Sequence, residues 1–447
     1  MTCGAAVPAV PPIVPGPPPM MGPFVTNSYA TCGMVSGNLS CSGFNVNKVL
    51  ANPNFSDPQP TDSLTPRNSA SCPKPTQGLP AGAPDKMWTS ASTPQICADY
   101  SGTIWCWGSN ADNSISPFGA PVRDGDYGVR ATPEQIGFSN VVDMTLSLGG
   151  DYSCVVFKNG AARCWGDGLE GNLGTGEAPM PGPGQIYPSH NTSPTYVLGF
   201  GPGKGVTKIR AGGRHTCLLA GDAVSCWGRQ LEGALGNGTP ADGSSQGSPP
   251  GQNLRTNTPV TPTGLGPGSG STDIALGANH SCAVVKGGVK CWGANTVKQA
   301  GQPSPSYILT PQWVSGLGAN SGVTRVFAGS STTCALVNGG VQCWGSNFTG
   351  NLGLNRNVYP YSAVPVVIPM VDTGVTFFSM SETNACAEKD GRTYCWGWGG
   401  FNALGDNNPP NQARIATTPV VVGCPDVNPV TPPPPPVTPP VVSSCSP

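Results

Sequence analysis

The sequence predicts an all-β fold, a seven-bladed β-propeller of four-stranded antiparallel blades. Each blade is expected to carry a cross-strand disulfide, and a C-terminal strand joining the first blade is expected to close the ring. Three observations predict it. The string Cys-Trp-Gly recurs at 106–108, 164–166, 226–228, 291–293, 343–345 and 395–397, each time nine or ten positions after another cysteine. A short turn signal sits between the two cysteines of every copy. With a degenerate first copy included, the second cysteines are spaced 65, 58, 62, 65, 52 and 52 residues apart. A fixed period of this size marks a repeat architecture. At a mean spacing of 59, seven units fill about 413 of the 447 residues, and an eighth does not fit.

The turn signal fixes the register. In VNGGVQCWG, Asn338-Gly339 suits a two-residue type I′ turn, which asks for positive φ at both positions. Val337 then faces Gly340, and counting outward sets Cys334 opposite Cys343. Asp390-Gly391 does the same for Cys386 and Cys395. Lys286-Gly287 holds the same place between Cys282 and Cys291, and Gly221-Asp222 between Cys217 and Cys226. Ser101-Gly102 does so between Cys97 and Cys106, and Ser36-Gly37 between Cys32 and Cys41. Lys158-Asn159-Gly160 has one more residue and reads as a three-residue bulged loop between Cys154 and Cys164. Alternation from the turn makes each cysteine pair a non-hydrogen-bonded one, with the short Cα separation a disulfide needs. Seven bridges are expected. The alternative, zinc, needs close cysteine knuckles or Cys/His clusters, and neither occurs.

Two further strands complete each unit. VTKIRAGGRHTC (206–217), STDIALGANHSC (271–282) and VTRVFAGSSTTC (323–334) lead into the hairpin. After the Cys-Trp-Gly strand comes a polar loop often ending in Leu-Gly, as in LEGNLG (169–174), LEGALG (231–236) and FTGNLG (348–353). A Pro-led strand follows, such as TPQWVSGL (310–317) or VPVVIPM (364–370). Four short strands per repeat describe a propeller blade.

Composition narrows the function classes. Gly and Pro make up about a quarter of the chain, and charged residues only 10%. The formal net charge is −1. A nucleic-acid binder is expected to carry a basic excess or stripe, so no nucleic-acid partner is expected. No run of eighteen apolar residues exists, so no membrane span is expected. The N-terminus lacks a basic region and its apolar stretch is broken by prolines, so it does not read as a secretory signal.

The repeats resemble those of the regulator of chromosome condensation family, carried by AGGRHTCLL (211–219) and CWGSNFTGNLG (343–353). The resemblance covers about residues 28 to 423. It implies a seven-bladed propeller, in agreement with the repeat count. The family's founding member is a guanine-nucleotide exchange factor on chromatin, and other members are secreted binders, including an inhibitor of β-lactamases. The cysteines depart from the nuclear type, because a reducing nucleus would not keep seven disulfides. No counterpart of the exchange wedge aligns, so exchange activity is the least favoured reading.

The organisation expected is a Pro-rich arm at 1–27, the propeller at 28–423 with an insertion at 42–96, and a Pro-rich tail at 424–447. The strand TTPVVVG (417–423) is expected to pair with the first blade. Cys3, Cys72, Cys424 and Cys445 remain, enough for two more bridges, either tying the ends and the insertion to the ring or linking subunits. VPAVPPIVPGPPP and PVTPPPPPVTPP should be extended polyproline II, serving as spacers or tethers.

Nothing supports an active site, a cofactor or a metal. His215 and His280 share one repeat position, read as filled by Tyr152 and Thr333 in other copies. A residue repeated round a ring is structural first. His190 has no evident partner. Glu170 and Glu232 are equivalent loop positions rather than an acid/base pair. Asp124 and Asp126 lack a full EF-hand loop. Six glycosylation sequons (Asn38, Asn54, Asn191, Asn237, Asn279, Asn347) are about what chance gives. The expected binding surface is one face of the ring, built from the long loops 107–130, 167–192 and 229–256. Trp313, Tyr359, Tyr361 and Trp398 are its aromatic candidates. The expectation is a non-enzymatic structural or recognition protein of an extracellular surface, appendage or virus particle. Its partners would be proteins, including copies of itself or other coat proteins. The alternative is a secreted monomeric inhibitor or lectin-like binder.

Overall fold

The computed structural model describes residues 24–35, 38–44, 49, 51, 69–110, 114–115, 128–176, 190–239, 255–399, 404 and 415–421. They form seven four-stranded antiparallel sheets, each made of four consecutive strands. Blade 5 serves as the pattern: Ser271–Leu276, His280–Val285, Gly288–Ala294 and Tyr307–Trp313, paired in that order. The first strands of all seven blades surround a central cavity of about 160 Å³. The fourth strands form the rim.

Antiparallel order gives the ring two different edges. The turns between second and third strands share one edge with the blade-to-blade connections. The connections between first and second strands share the other with the long loops between third and fourth strands. These are called the turn edge and the loop edge.

The hairpins follow the expected register. Val337 faces Gly340 and Cys334 faces Cys343, with Asn338 and Gly339 at φ 50° and 79°. Lys286-Gly287, Ser101-Gly102 and Asp390-Gly391 also have positive φ at both positions. Lys158-Asn159-Gly160 closes its hairpin with Gly160 at φ 77° and Val156 facing Ala162. All seven expected bridges are present, one per blade. Cys32 is joined to Cys41, Cys97 to Cys106, Cys154 to Cys164 and Cys217 to Cys226. Cys282 is joined to Cys291, Cys334 to Cys343 and Cys386 to Cys395. Each pair lies directly opposite in the ladder, with Cα separations of 4.0–4.1 Å.

Each letter of Cys-Trp-Gly has a separate task. The cysteine bridges to the second strand. The tryptophan is fully buried in six blades. In five of them its indole N–H donates to a backbone carbonyl in the loop region of the preceding blade, as Trp292 does to Ala234 at 2.8 Å and Trp396 to Asn351 at 2.9 Å. The glycine sits at a register shift with φ near 100°, where only glycine is at ease. A Cβ on Gly293 would stand 2.6 Å from the Asn279 carbonyl and 2.8 Å from the His280 Cα. That glycine is what lets the connection between first and second strands fold down over the hairpin.

The core lies between blades as much as within them. One apolar cluster joins Leu219 and Val224 of blade 4 to Ile274 and Trp292 of blade 5 and to Val326 and Trp344 of blade 6. Burying side chains of this size contributes about 1.5–3 kcal/mol each.

Ring closure differs from the expectation. The last strand, Ile415–Val421, pairs with Arg392–Trp398 of its own blade 7, not with blade 1. Blade 1 is already full. Phe24–Thr26 is its first strand, and Ser69–Pro75, inside the stretch read as an insertion, is its fourth. Lys86–Thr89, from the same stretch, is the first strand of blade 2. With no gap in either sheet, no strand is left to exchange. Blades 1 and 7 meet through side chains instead. Phe24 packs edge-on against Phe377 at 4.4 Å, and the Thr26 hydroxyl donates to the Asn384 side chain at 2.6 Å.

Candidate binding surfaces

On the first strands, one repeat position alternates in charge: Lys86, Asp143, Lys208, Asp273 and Arg325 in blades 2 to 6, with Phe377 in blade 7. The two carboxylates are clamps spanning three blades each. Asp273 accepts from Lys208 Nζ at 2.5 Å in blade 4, and from Arg325 Nε at 3.2 Å and the Val326 N–H at 3.0 Å in blade 6. Burial alone would raise its carboxyl, but the flanking Lys208 and Arg325 cations outweigh that and hold it below the usual value. Asp143 accepts from Trp88 Nε1 in blade 2, and from the Ile209 N–H and Arg210 Nη1 in blade 4. These charges are spent on holding blades together. Both carboxylates are buried and paired in this way, between neighbouring blades.

The histidines have a similar job at the loop edge. His215 Nε2 lies 2.9 Å from Ser281 Oγ in the next blade, and His280 Nε2 lies 2.8 Å from Thr333 Oγ1. Each hydroxyl spends its hydrogen on a loop carbonyl, Ala234 or Gln299. The imidazole must therefore be the donor, which fixes the Nε2–H tautomer. Burial pushes His215 down to about 4, and burial with the neighbouring His215 pushes His280 down to about 3. Both stay neutral and structural. Tyr152 fills the equivalent place in blade 3, its hydroxyl on the His215 carbonyl at 2.9 Å. The register corrects the sequence alignment here. Thr332, opposite Gly345, is the true equivalent of the histidines, and Thr333 matches Ser281 and Thr216.

Other candidates are placed separately. Glu170 takes a hydrogen bond from Arg214 at 3.2 Å, while Glu232 sits in its own loop with its carboxyl raised by burial. Asp124, Asp126 and the side chain of His190 lie outside the described residues, as do the side chain of Cys72 and all of Cys3, Cys424 and Cys445. So do the middles of the loops 107–130, 167–192 and 229–256. All three loops belong to the loop edge, as their positions between third and fourth strands require. Asn347 is fully buried, its amide donating to the Leu354 and Tyr359 carbonyls, so this sequon is closed to a glycan.

The four aromatic candidates do not form one cluster. Trp313 ends the fourth strand of blade 5 at the turn edge, opposite Lys290, whose ammonium sits 4.9 Å from the ring centroid. Tyr359 and Tyr361 lie on blade 6 toward the loop edge. Trp398 stands at the matching end of blade 7 and is only part-exposed. The structure adds neighbours that sequence missed. Ten large apolar side chains are exposed among the described residues, and seven come from the single stretch 348–370 on blade 6. Patches of this kind mark interaction sites.

The comparisons agree with this geometry. The family model described as "Regulator of chromosome condensation (RCC1) repeat" matches residues 272–299. The chain is 31% identical over 218 residues to the ultraviolet-B receptor UVR8 of Arabidopsis thaliana, across 46% of this chain and 44% of that protein. It is 28% identical over 270 residues to the probable E3 ubiquitin-protein ligase HERC6 of Homo sapiens, across 59% of this chain and 24% of that protein. It thus spans less than half the length of these curated relatives. Human WBSCR16 superposes with a TM-score of 0.65 at 19% identity, covering 86% of this chain and 93% of that one. Yeast RCC1 (Prp20), solved bound to Kap60, gives a TM-score of 0.64 at 16% identity, covering 94% and 91%. No helix among the described residues is long and apolar enough to cross a membrane. One repeat thus matches the family model outright, and the same strand pattern is carried round a seven-bladed ring, so the chain is similar in repeat and fold to the regulator of chromosome condensation-like proteins.

Proposed function

We propose that the chain is a non-enzymatic structural or recognition protein of an oxidising setting, an extracellular surface, an appendage or a virus particle. The propeller, whose first strand begins at Phe24, is its rigid protein-binding scaffold, and the Pro-rich segments before residue 24 and at 424–447 are its tethers. The observation that carries this reading is the set of seven described disulfides, one in the middle of each blade, with every bridged cysteine buried. Bridges in every repeat suit a compartment that keeps them. Protein binding is supported by the fold's solved examples, among them yeast RCC1 bound to Kap60. The non-enzymatic reading is supported by the two buried histidines, held neutral as hydrogen-bond donors between blades.

Intact-mass measurement of the native protein, with and without reduction, alongside its size in solution, tests the reading. Reduction should add two hydrogens per bridge, about fourteen mass units for the seven described bridges. A large species that falls apart on reduction would show that some of Cys3, Cys72, Cys424 and Cys445 join subunits of a coat. A monomer before and after reduction would favour the lone inhibitor or lectin-like binder. No mass change at all would defeat the oxidising setting.

A further inference from the structure

The exposed apolar stretch of blade 6 has no counterpart on the other blades among the described residues. Phe348, Tyr359, Tyr361, Val364, Val367 and Met370 are each about half exposed. They run along the outer rim from the loop edge to the turn edge, following the fourth strand Tyr361–Val367. The strand's Pro365 has no N–H to offer, so a partner strand could not pair along its full length. The rim therefore presents two tyrosine rings and aliphatic side chains rather than a ladder to extend. Rings of this kind favour polyproline II segments, which are pre-extended and bring flat prolyl faces.

The chain itself carries such a segment close by. Its last described strand ends at Val421, opposite Tyr394 in blade 7. That is the position held in blade 6 by Val367, opposite Gln342. The chain thus leaves the rim on the neighbouring blade, at the level of the patch's turn-edge end. Beyond it come ten residues, 422–431, and then the five prolines 432–436. At about 3.1 Å per residue the ten reach about 30 Å, and the prolines with their neighbours then span a strand of seven residues. The segment 427–442 has no charged side chain, which matches an uncharged patch.

We propose that the Pro-rich segment 429–440 of the same chain lies along the rim of blade 6, on Tyr359 and Tyr361. The proposal is independent of which partner the loop edge binds. A tethered segment acts at an effective concentration in the mM range, so a weak contact of about 0.1 mM would still be occupied about nine-tenths of the time.

Tyrosine nitration with tetranitromethane, read residue by residue by peptide mass, tests it on the full chain. The comparison is with a variant in which Pro432 to Pro436 are replaced by alternating Gly and Ser, all outside the propeller strands. Tyr359 and Tyr361 should nitrate about tenfold faster in the variant, and Tyr196, exposed on blade 3, should not change. Equal rates at Tyr359 and Tyr361 in the two chains would overturn the proposal, as would a matching change at Tyr196. Protection that appears only as protein concentration rises would overturn it in favour of a second copy's tail.

Discussion

The turn edge and the loop edge of the ring are built from the same seven repeats, yet they obey different rules. At the turn edge the connections within blades hardly vary. Two residues suffice in every described hairpin except that of blade 3, and left-handed residues such as Asn338 and Gly339 close them. At the loop edge the connections between third and fourth strands differ in length from blade to blade. What recurs there lies beneath the loops: the buried tryptophan in six blades, its carbonyl acceptor in five, and in blades 4 to 6 a hydroxyl that shares that acceptor. The difference teaches where specification resides. The turn edge sets register by backbone conformation, and a bridge then locks it. The loop edge sets blade-to-blade seating by buried hydrogen bonds, leaving the surface above free to vary.

The largest break should come at the loop edge. Trp292→Ala removes a fully buried ring and one of the two donors to the Ala234 carbonyl. It should cost about 3–5 kcal/mol, read from the urea midpoint. A loss under about 1 kcal/mol would mean that blades seat themselves without the tryptophan.

A smaller effect should appear on acidification. The histidines of the loop edge have folded pKa values below the ordinary 6.5, at about 4 for His215 and about 3 for His280. The unfolded chain therefore binds protons first. Stability is complete above pH 6.5 and falls as pH drops toward those folded values. The slope approaches about 1.4 kcal/mol per pH unit for each histidine. His280→Gln, which copies Gln95 of blade 2, should halve the slope between about pH 6 and about 4.5. Denaturation midpoints across that range check it, and an unchanged slope would put the acid sensitivity elsewhere.

The smallest effect sharpens the other side of the comparison. Asn338→Ala at φ 50° should cost about 1 kcal/mol, because alanine tolerates the left-handed region less well than asparagine. Asn338→Gly should be close to neutral. Thermal melts distinguish them.

Most of the hairpin architecture was legible because turn chemistry and cysteine spacing are local. Blade count and register follow from them without tertiary knowledge. The closing strand was misread for a physical reason. Ser69–Pro75, SASCPKP, has small residues, two prolines and no apolar alternation, so it carries no strand signal of its own. Phe24–Thr26 is only three residues long. Both are strands because neighbouring blades demand them. The clamps at Asp143 and Asp273 were missed, although their signal was present: a charge alternating at one repeat offset from Lys86 to Arg325. The blade 6 patch was half seen. Tyr359 and Tyr361 are legible as aromatic candidates, but nothing in the Pro-led strand VPVVIPM marks its valines as exposed, and only its place on the rim leaves Val364 and Val367 open to solvent.

The junction of blades 1 and 7 gives the molecule the mechanics of a split washer. Because each sheet is complete, the two ends of the ring meet through a ring contact and a few hydrogen bonds, without a shared sheet. A pull on the two ends of the ring draws on that contact in series with the rim ladder between Ile415–Val421 and Arg392–Trp398. The same cut makes the circle modular in descent: a whole repeat can be gained or lost at the split without unthreading a strand from its neighbour.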